Sequence, residues 1–351
     1  MQKNQILLKQ PLNTQFKQQS IPGKMIIYSP PCAVSLMVAV SIIFLALGAA
    51  ILIESDSVVE IVQRYDDKQA CAYNKTNPKQ LWDGCKYIYP FEIPRTMKAP
   101  VFLYYQLTNY YQNHRKYVKS MSTMQLAGQD PATVELMSDC KPRLTNKDKS
   151  LTYSPAGLMP WSMFNDSFAL YGADGTLFCD GELFTKDKDS TPLQNMTCTK
   201  KGIAWDSDKD KYAPPFNGTN ILTYTGRTDK GNKSYIVNGW YEFEDYHPLP
   251  NPQDEDFMVW MRNEPISSFR KLYRVIQTDL TAGSYVMHVK QRYDVLAFGG
   301  TKSFVLLKPG WIGAPNRPLA GFYLAVGSLS FVFSVTFILK LLIPSLNPSK
   351  R

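Results

Sequence analysis

The chain has 351 residues, a formal net charge of +9 and 44% hydrophobic residues, so it is long enough to bury a sizeable core. Seven of its 39 basic residues lie near the two ends, which leaves 32 between them against all 30 acidic residues. Proteins that bind nucleic acid cluster their positive charge on the folded surface. This distribution therefore argues against that class.

Two apolar runs without a charged residue frame the chain. Residues 33–53 and 319–339 each give 21 uncharged residues, enough for a helix to cross a hydrocarbon core of about 30 Å. The alternative for the first run is a cleaved signal peptide, whose apolar core is usually shorter and nearer the start. We therefore predict a two-pass membrane protein. Its predicted segments are a tail (1–32), a transmembrane helix (33–53), a large domain (54–318), a second transmembrane helix (319–342) and a second tail (343–351).

The charges of the tails predict the orientation. Neither tail contains an acidic residue, and positively charged flanks stay in the cytosol because Lys and Arg resist translocation. Both termini are expected in the cytosol, where their charge favours the anionic phospholipids of that leaflet. The large domain is then lumenal or extracellular. The basic residues outside the two uncharged runs at the ends of the chain are Lys3, Lys9, Lys17, Lys24, Lys340, Lys350 and Arg351.

Sequons and cysteines cluster in the same middle segment. All five N-x-S/T sequons lie there, and N-linked glycans are expected on them. Five of the six cysteines lie there too, in a compartment that favours disulfides, whereas Cys32 is expected to be a free thiol. A Cys71–Cys85 bridge would close a short loop and contribute about 3 kcal/mol. The five sequon asparagines are Asn74, Asn165, Asn195, Asn217 and Asn232.

Short β-prone runs recur through the large domain. Alternating residues after the first span predict a strand near Val59–Ile61, and the branched and aromatic run 101–107 predicts another. Residues 150–260 are rich in turn residues between short apolar runs, a spacing typical of an antiparallel β-sandwich. Residues 284–307 also indicate strands. The apolar runs in the turn-rich region are 168–171, 221–224 and 235–237.

A helix is predicted where Phe269, Leu272, Tyr273 and Ile276 follow helical spacing. Trp311 and Tyr323 flank the start of the second span and are expected at the outer membrane interface. The predicted fold is thus two transmembrane helices around a β-rich domain with short helical insertions.

A dense aromatic cluster precedes the turn-rich region. It combines tyrosines with His114, Arg115 and Lys116, a mixture that single-stranded nucleic-acid readers also use. Aromatic packing in a core, with cations at its edge, explains the same residues outside the cell, and we favour that interpretation. The aromatic residues are Phe102, Tyr110, Tyr111 and Tyr117.

No catalytic signature is present in the sequence. The three histidines are far apart, and no HExxH, CxxC or GxSxG motif frames them. The run GRTDKGNKS from Gly226 resembles a P-loop, but Asn232 stands where the P-loop lysine belongs, so a hairpin turn is predicted there. The runs 33–53 and 319–339 hold no Asp, Glu, Lys, Arg or His and therefore no ion relay of their own. Ala46 with Ala50, and Ser330 with Ser334, are candidate positions for close helix packing.

Several segments together resemble one family, the cell division control protein 50 / ligand-effect modulator 3 family. The match runs in order from about residue 12 to 340. The matching segments are FKQQSIPG (16–23), YYQLTNYYQNHRKYVKS (104–120), WSMFNDSF (161–168), KKGIAWDSDKDKY (200–212), EDFMVWMR (255–262), FRKLY (269–273) and LAVGSLSF (324–331).

The resemblance implies a function. Members of the family are non-catalytic β-subunits of type IV P-type ATPases, the phospholipid flippases, and escort the ATPase out of the endoplasmic reticulum. A jelly-roll-like β-sandwich covering the pump's exoplasmic loops is implied, with residence in the endoplasmic reticulum, Golgi, endosomes or plasma membrane. An N-terminal segment along the cytosolic side of the pump is implied as well. Its docking residues would be Phe16, Lys17, Gln18, Gln19, Ile21 and Pro22.

The cysteines depart from the family pattern at one point. The family usually pairs the cysteine matching Cys140 with one just before SMFND, where this chain has Pro155-Ala156-Gly157. The Cys71–Cys85 pair matches the family. Cys179–Cys198 is the remaining predicted pair, and Cys140 with either of these two is an alternative.

Two other functions are compatible with the topology. A free-standing receptor or adhesion protein would also carry a glycosylated domain and small tails. An ectoenzyme would need a buried pair of acidic residues, which the sequence alone does not reveal. The β-subunit is the predicted function, with no catalytic, cofactor or metal site.

Overall fold

The computed structural model divides the chain into two compact units, which are described separately. One contains Met1–Ile53 with Asn316–Arg351, and the other, the large domain, is Glu54–Pro315. The residues whose structure is described are 13–23, 29–67, 71, 84–130, 138–145, 149–181, 197–216, 218, 221–223, 236–237, 240–241, 247–248 and 250–343.

The described residues form seven α-helices and fourteen strands. The helices are α1 (Pro30–Ser57), α2 (Arg115–Lys119), α3 (Thr123–Leu126), α4 (Leu158–Trp161), α5 (Asp206–Lys209), α6 (Glu255–Met261) and α7 (Arg317–Leu342). The strands are β1 (Val59–Arg64), β2 (Cys85–Ile93), β3 (Val101–Leu107), β4 (Thr152–Tyr153), β5 (Ser167–Gly172), β6 (Leu177–Asp180), β7 (Cys198–Thr199), β8 (Ile221–Leu222), β9 (Ile236–Val237), β10 (Trp240–Tyr241), β11 (His247–Pro248), β12 (Phe269–Ile276), β13 (Gly283–Gln291) and β14 (Lys302–Lys308).

Two antiparallel sheets make up most of the large domain. One has the strand order β1-β14-β3-β12-β7 and the other β2-β13-β5-β6. The smaller pairings are a three-stranded sheet, β11-β10-β9, and a parallel pair, β4-β8. The strands predicted near Val59 and over 101–107 are confirmed as β1 and β3, and β13 and β14 occupy the predicted strand region near the end of the domain.

The core of the large domain contains side chains from both main sheets. Alternate residues of β3 and β13 are buried, as expected for strands with one face on the core. The rings of Phe91 on β2 and Phe304 on β14 lie 5.6 Å apart, and those of Phe168 on β5 and Tyr273 on β12 lie 5.1 Å apart. The two sheets therefore share one aromatic interior.

The helix predicted over Phe269–Ile276 is wrong, because these residues form β12. The register with β3 shifts between Leu272 and Arg274, so one extra residue reverses the alternation of side chains. Phe269 is buried before the shift, Tyr273 at the shift and Ile276 after it. A β-bulge thus produces buried positions at helix-like spacing.

Only some residues of the aromatic cluster pack in the core. Tyr110 lies 5.8 Å from Tyr117 and 5.6 Å from Trp260, measured between ring centroids. Core packing is therefore confirmed for Tyr110 and Tyr117. It is wrong for Tyr111, which is exposed, and Phe102 stacks on its own strand neighbour Tyr104.

The two long helices α1 and α7 pack against each other through glycines. A side chain added at Gly48 would lie 2.8 Å from Leu324, and one added at Gly327 would lie 2.8 Å from Leu45. Along this contact the residue numbers rise in α1 as they fall in α7, so the two helices run in opposite directions. Ala46 and Ala50, predicted as packing positions, are exposed, whereas Ser334 is buried.

Both helices are apolar enough and long enough to cross a membrane. Only 17% of the most apolar stretch of α1 is buried, and in α7 the buried share of the corresponding stretch is 11%. A core helix of a soluble protein would bury most of that surface. Most of the apolar surface of these helices is therefore left to their surroundings.

Candidate functional site

The segment predicted to dock on a partner forms a compact turn, here called the N-terminal turn (residues 14–20). The Lys17 amide donates to the Thr14 hydroxyl at 3.3 Å, and the Gln18 amide donates to the Thr14 carbonyl at 2.9 Å. Thr14 thus holds the turn in the way that an N-cap residue holds the first turn of a helix. The turn closes at Gln19, whose φ of 53° is left-handed, as at many helix C-termini.

This turn exposes its large apolar side chains. Phe16 is 79% exposed, and Ile21, just after the turn, is 60% exposed. The Ser20 amide donates to the Gln15 carbonyl at 2.8 Å, so the backbone between them is internally bonded. Apolar side chains on a preformed backbone lose little conformational entropy on binding. The hydroxyl of Thr14, which precedes the predicted docking residues, is the capping signal that the sequence interpretation missed.

The large domain has two disulfides, and one of them joins its two main sheets. Cys179 on β6 is bonded to Cys198 on β7, and these strands belong to different sheets. Cys71, which follows β1, is bonded to Cys85, the first residue of β2. Cys140 is buried and unbridged. Burial and the nearby charge of Asp139 raise the pKa of its thiol to about 11.

One of the five sequons lies in the described part of the chain. Asn165 is half-buried, and its Oδ1 has no hydrogen-bond partner among the described residues. Asp166 and Ser167 of the same sequon are 3% and 5% exposed. This sequon is therefore packed into the fold. Asn74, Asn195, Asn217 and Asn232 lie outside the described residues, as does the predicted hairpin at Gly226.

A buried ion cluster connects β12, α6 and the residue after β7. The guanidinium of Arg274 donates to both oxygens of Asp256, at 2.7 and 3.1 Å. Lys200 Nζ lies 2.9 Å from Asp256 and 2.5 Å from Asp254. Burial alone would raise the pKa of Asp256, but the charges of Arg274 and Lys200 outweigh it and hold the pKa at about 2. The carboxylate stays ionised and paired, as a structural rather than an acid–base group.

A second buried pair lies between the two sheets. Asp166 accepts hydrogen bonds from Lys302 Nζ at 2.7 Å and from the Tyr65 hydroxyl at 2.8 Å. The backbone amides of Arg292 and Tyr293 also donate to it, at 2.5 and 2.6 Å. Burial, and then the charge of Asp166, raise the pKa of Tyr65. This carboxylate is saturated with donors and organises the core.

The described residues contain no group of three or more His, Cys, Asp or Glu side chains that could hold a metal ion. Two of the histidines have different surroundings. His114 is exposed before α2, and His288 on β13 packs on Tyr171 at 4.5 Å. The described residues thus define a protein with a β-rich domain that has paired interior charges, two long apolar helices and an exposed apolar turn.

The family follows from comparison with known proteins. Residues 51–347 match the LEM3 (ligand-effect modulator 3) family / CDC50 family, and the chain belongs to this family. The resemblance inferred from the sequence segments is thereby confirmed.

Three relatives illustrate the similarity. The chain is 35% identical to ALA-interacting subunit 3 of Arabidopsis thaliana, over 95% of this chain and 87% of that protein. It is 33% identical to cell cycle control protein 50A of Bos taurus, over 94% and 88%. It is 29% identical to the phospholipid-transporting ATPase accessory subunit CRF1 of Saccharomyces cerevisiae, over 95% and 86%.

Proposed function

We propose that this chain is the non-catalytic β-subunit of a type IV P-type ATPase phospholipid flippase. It binds the catalytic subunit as a heterodimer and supports its folding, its exit from the endoplasmic reticulum and its activity. The transported phospholipids move from the exoplasmic to the cytosolic leaflet. The observation that carries the proposal is family membership together with a relative named as an accessory subunit of a phospholipid-transporting ATPase.

The proposed topology has two membrane spans and both termini in the cytosol. The opposite directions of α1 and α7 support it, because an antiparallel helix pair returns the chain to its starting side. The exposed apolar surface of both helices supports it as well. The proposed segments are a tail (1–32), a span (33–53), an exoplasmic domain (54–318), a span (319–342) and a tail (343–351). The resident membrane would be the endoplasmic reticulum, the Golgi and endosomes, or the plasma membrane.

The exoplasmic domain is proposed to be a jelly-roll-like β-sandwich. Ring contacts between strands of the two main sheets support this arrangement, as do aromatic-rich inner faces of the kind that sandwiches bury. N-linked glycans are proposed at Asn74, Asn165, Asn195, Asn217 and Asn232. At Asn165 the glycan would have to be attached before the surrounding chain folds.

The N-terminal turn is proposed to dock on the cytosolic side of the ATPase. Phe16 and Ile21 would be the apolar anchors, and the capped backbone would present them. Lys17, Gln18, Gln19 and Pro22 would complete the contact. An exposed aromatic anchor typically contributes more than its neighbours to binding.

Affinity capture tests the proposed function. The tagged full chain is extracted from native membranes in mild detergent, and co-purifying proteins are identified by their peptides. A type IV P-type ATPase is expected in near-equal amount. Recovery without any P-type ATPase, from cells that express one, would contradict the proposal. Efficient delivery to the cell surface without an ATPase would instead favour a free-standing receptor.

Variants of the N-terminal turn test the proposed docking. Phe16→Ala with Ile21→Ala should lower ATPase recovery by about tenfold, the loss expected for about 1.4 kcal/mol. Gln15→Ala is the control, because it keeps the carbonyl that holds Ser20. Equal recovery with all three chains would contradict docking through this turn.

A further inference from the structure

A cleft of about 320 Å³, lined by both polar and apolar residues, lies in the large domain where the chain leaves α1. Glu54 directly follows the predicted span 33–53 and lies in the last turn of α1. At 1.5 Å per residue, the cleft begins within about 5 Å of the end of that span. Its volume is at the lower end of the range of small-molecule sites, about 300–1,000 Å³. The residues of the cleft used below are Glu54, Ser57, Thr96, Lys98, Lys308 and Gly310.

The walls of the cleft are fixed by hydrogen bonds. Arg95 donates to the carbonyl of Asp56 at 3.0 Å, which holds the segment that contains Lys98 against the C-terminal end of α1. Lys308 is paired in register with Val59 at the start of β1. The two lysines are therefore held on separate walls, both close to the end of the helix.

A short loop forms the third wall. The backbones of Gly310 and Gly313 exchange two hydrogen bonds of 3.0 Å each, and Gly313 has a φ of 100° that only glycine adopts easily. The amide of Trp311 at the loop tip donates to Glu54 Oε1 at 3.1 Å. Trp311 itself is 74% exposed, as is typical of tryptophans at a membrane interface.

The charged side chains of the cleft can form further ion pairs and hydrogen bonds. Neither Lys98 nor Lys308 forms an ion pair with any residue in the described part of the chain, in contrast to the paired Lys200 and Lys302. The second oxygen of Glu54 makes no hydrogen bond to a described residue. Two cationic side chains and one carboxylate with an unbonded oxygen thus belong to the lining of one cleft. A ligand with a phosphate and an ammonium group matches this charge pattern.

We infer that this cleft binds the headgroup of a membrane phospholipid that carries both a phosphate and an ammonium group. Lys98 and Lys308 hold the phosphate, the free oxygen of Glu54 accepts from the ammonium, and Trp311 anchors the loop in the interfacial layer. The inference rests on the proposed topology, which puts the cleft at headgroup level of the exoplasmic leaflet. It does not require the ATPase.

Photolabelling of the full chain alone in phosphatidylcholine nanodiscs tests the site. The probe is phosphatidylserine with a diazirine at the top of one acyl chain, and adducts are mapped by peptide mass spectrometry. We expect labelling of the peptides that contain Lys98 and Lys308. Lys98→Gln with Lys308→Gln should reduce it at least fivefold, whereas Lys98→Arg with Lys308→Arg should retain it.

Controls separate the site from general membrane contact. Lys86→Gln should leave labelling unchanged, because this exposed lysine lies at the opposite end of β2, roughly 25 Å from its last residue. Glu54→Gln should reduce labelling by the phosphatidylserine probe but not by the matching phosphatidic acid probe, which lacks the ammonium.

Three outcomes would overturn the inference. They are equal labelling of the double Gln variant, equal loss in the Lys86→Gln variant, and full competition by millimolar free phosphoserine or inorganic phosphate. The last result would assign the cleft to a soluble phosphate compound. Since no ATPase is present, failure here leaves the proposed function to be judged by affinity capture alone.

Discussion

The large domain and the pair of long helices differ in which side chains they bury and which they expose. Inside the domain even charged groups are buried with partners, as for Arg274 at 0% and Lys302 at 2% exposure. The helix pair instead exposes most of its apolar side chains, including Ile42, Phe322 and Leu329. The charged groups of the domain find their partners within it, whereas most of the apolar surface of the helices is left to their surroundings. Stability and assembly can therefore be perturbed separately.

The largest expected effect concerns a buried charge of the domain. Lys302→Met removes the cation opposite Asp166, whose side chain is 0% exposed. Breaking a buried pair this way costs about 3–5 kcal/mol, and a domain of this size loses about 2–4 °C per kcal/mol. The melting temperature of the detergent-solubilised chain should fall by about 10 °C.

Arg64→Met is the matched control for the buried pair. The side chain of Arg64 is 53% exposed and pairs at 2.9 Å with Asp66, whose side chain is 6% exposed. The carboxylate of Asp66 keeps the hydrogen bond from the backbone amide of Lys302, and loss of a solvent-exposed cation is expected to cost about 1 kcal/mol or less. The strand of Arg64, β1, is the neighbour of β14, which carries Lys302. Equal falls in melting temperature for the two variants would mean that the buried cation contributes no more to stability than the exposed one.

The next effect concerns the covalent link between the sheets. Replacing Cys179 and Cys198 by Ser removes a bridge that spans 19 residues of sequence, worth about 3 kcal/mol by restriction of the unfolded chain. Folding yield and export of the ATPase should fall together. Cys32→Ser, at an exposed free thiol, is the control. Export that is unaffected by loss of the bridge would show that the sheets hold together without it.

The same contrast explains what could be predicted from sequence. The apolar runs, β1 and β3 follow from local patterns, because a span or a half-buried strand is encoded in consecutive residues. The pair of Lys302 with Asp166 joins residues 136 apart, and no local pattern encodes such a contact. Its residue types are also common on any protein surface.

Local patterns misled the interpretation at two places. The bulge in β12 after Leu272 gave strand residues a helical spacing. Between the helices, the fourfold spacing of Ala46 and Ala50 predicted a packing face, but Gly48 makes the contact. Close approach depends on where the neighbouring helix lies, which the sequence of one helix does not specify.

A smaller effect is expected at the contact between the long helices. A Cβ at Gly327 would lie 2.8 Å from Leu45 Cγ and 2.9 Å from its backbone nitrogen. Gly327→Ala should therefore cost about 1–3 kcal/mol through overpacking and lower the monodisperse yield and the ATPase recovery. The melting temperature of the large domain should change little.

Gly321 in the same helix provides the control for that contact. A side chain there meets nothing within 4 Å, so Gly321→Ala should be neutral or slightly stabilising through helix propensity. A melting shift of the domain as large as that for Lys302→Met would contradict the separation between the two units. Equal yields for Gly327→Ala and Gly321→Ala would contradict the glycine contact itself.

The smallest effect is chemical and concerns Cys140, the buried thiol of the domain. Since its pKa is raised to about 11 by burial and by Asp139, only about 0.1% is thiolate at pH 8, and the thiolate is the reactive form. In the unfolded chain, with an ordinary pKa near 8.5, the fraction is about a quarter.

Alkylation of native Cys140 by iodoacetamide at pH 8 should therefore be at least about a hundredfold slower than in urea. Its rate should rise about tenfold per pH unit up to pH 10, because the thiolate fraction does so below the pKa. Mass spectrometry of the Cys140 peptide measures the rate, and Cys140→Ser identifies the label. Native labelling as fast as in urea would show that solvent reaches the interior, and the contrast between a closed domain and open helices would no longer hold.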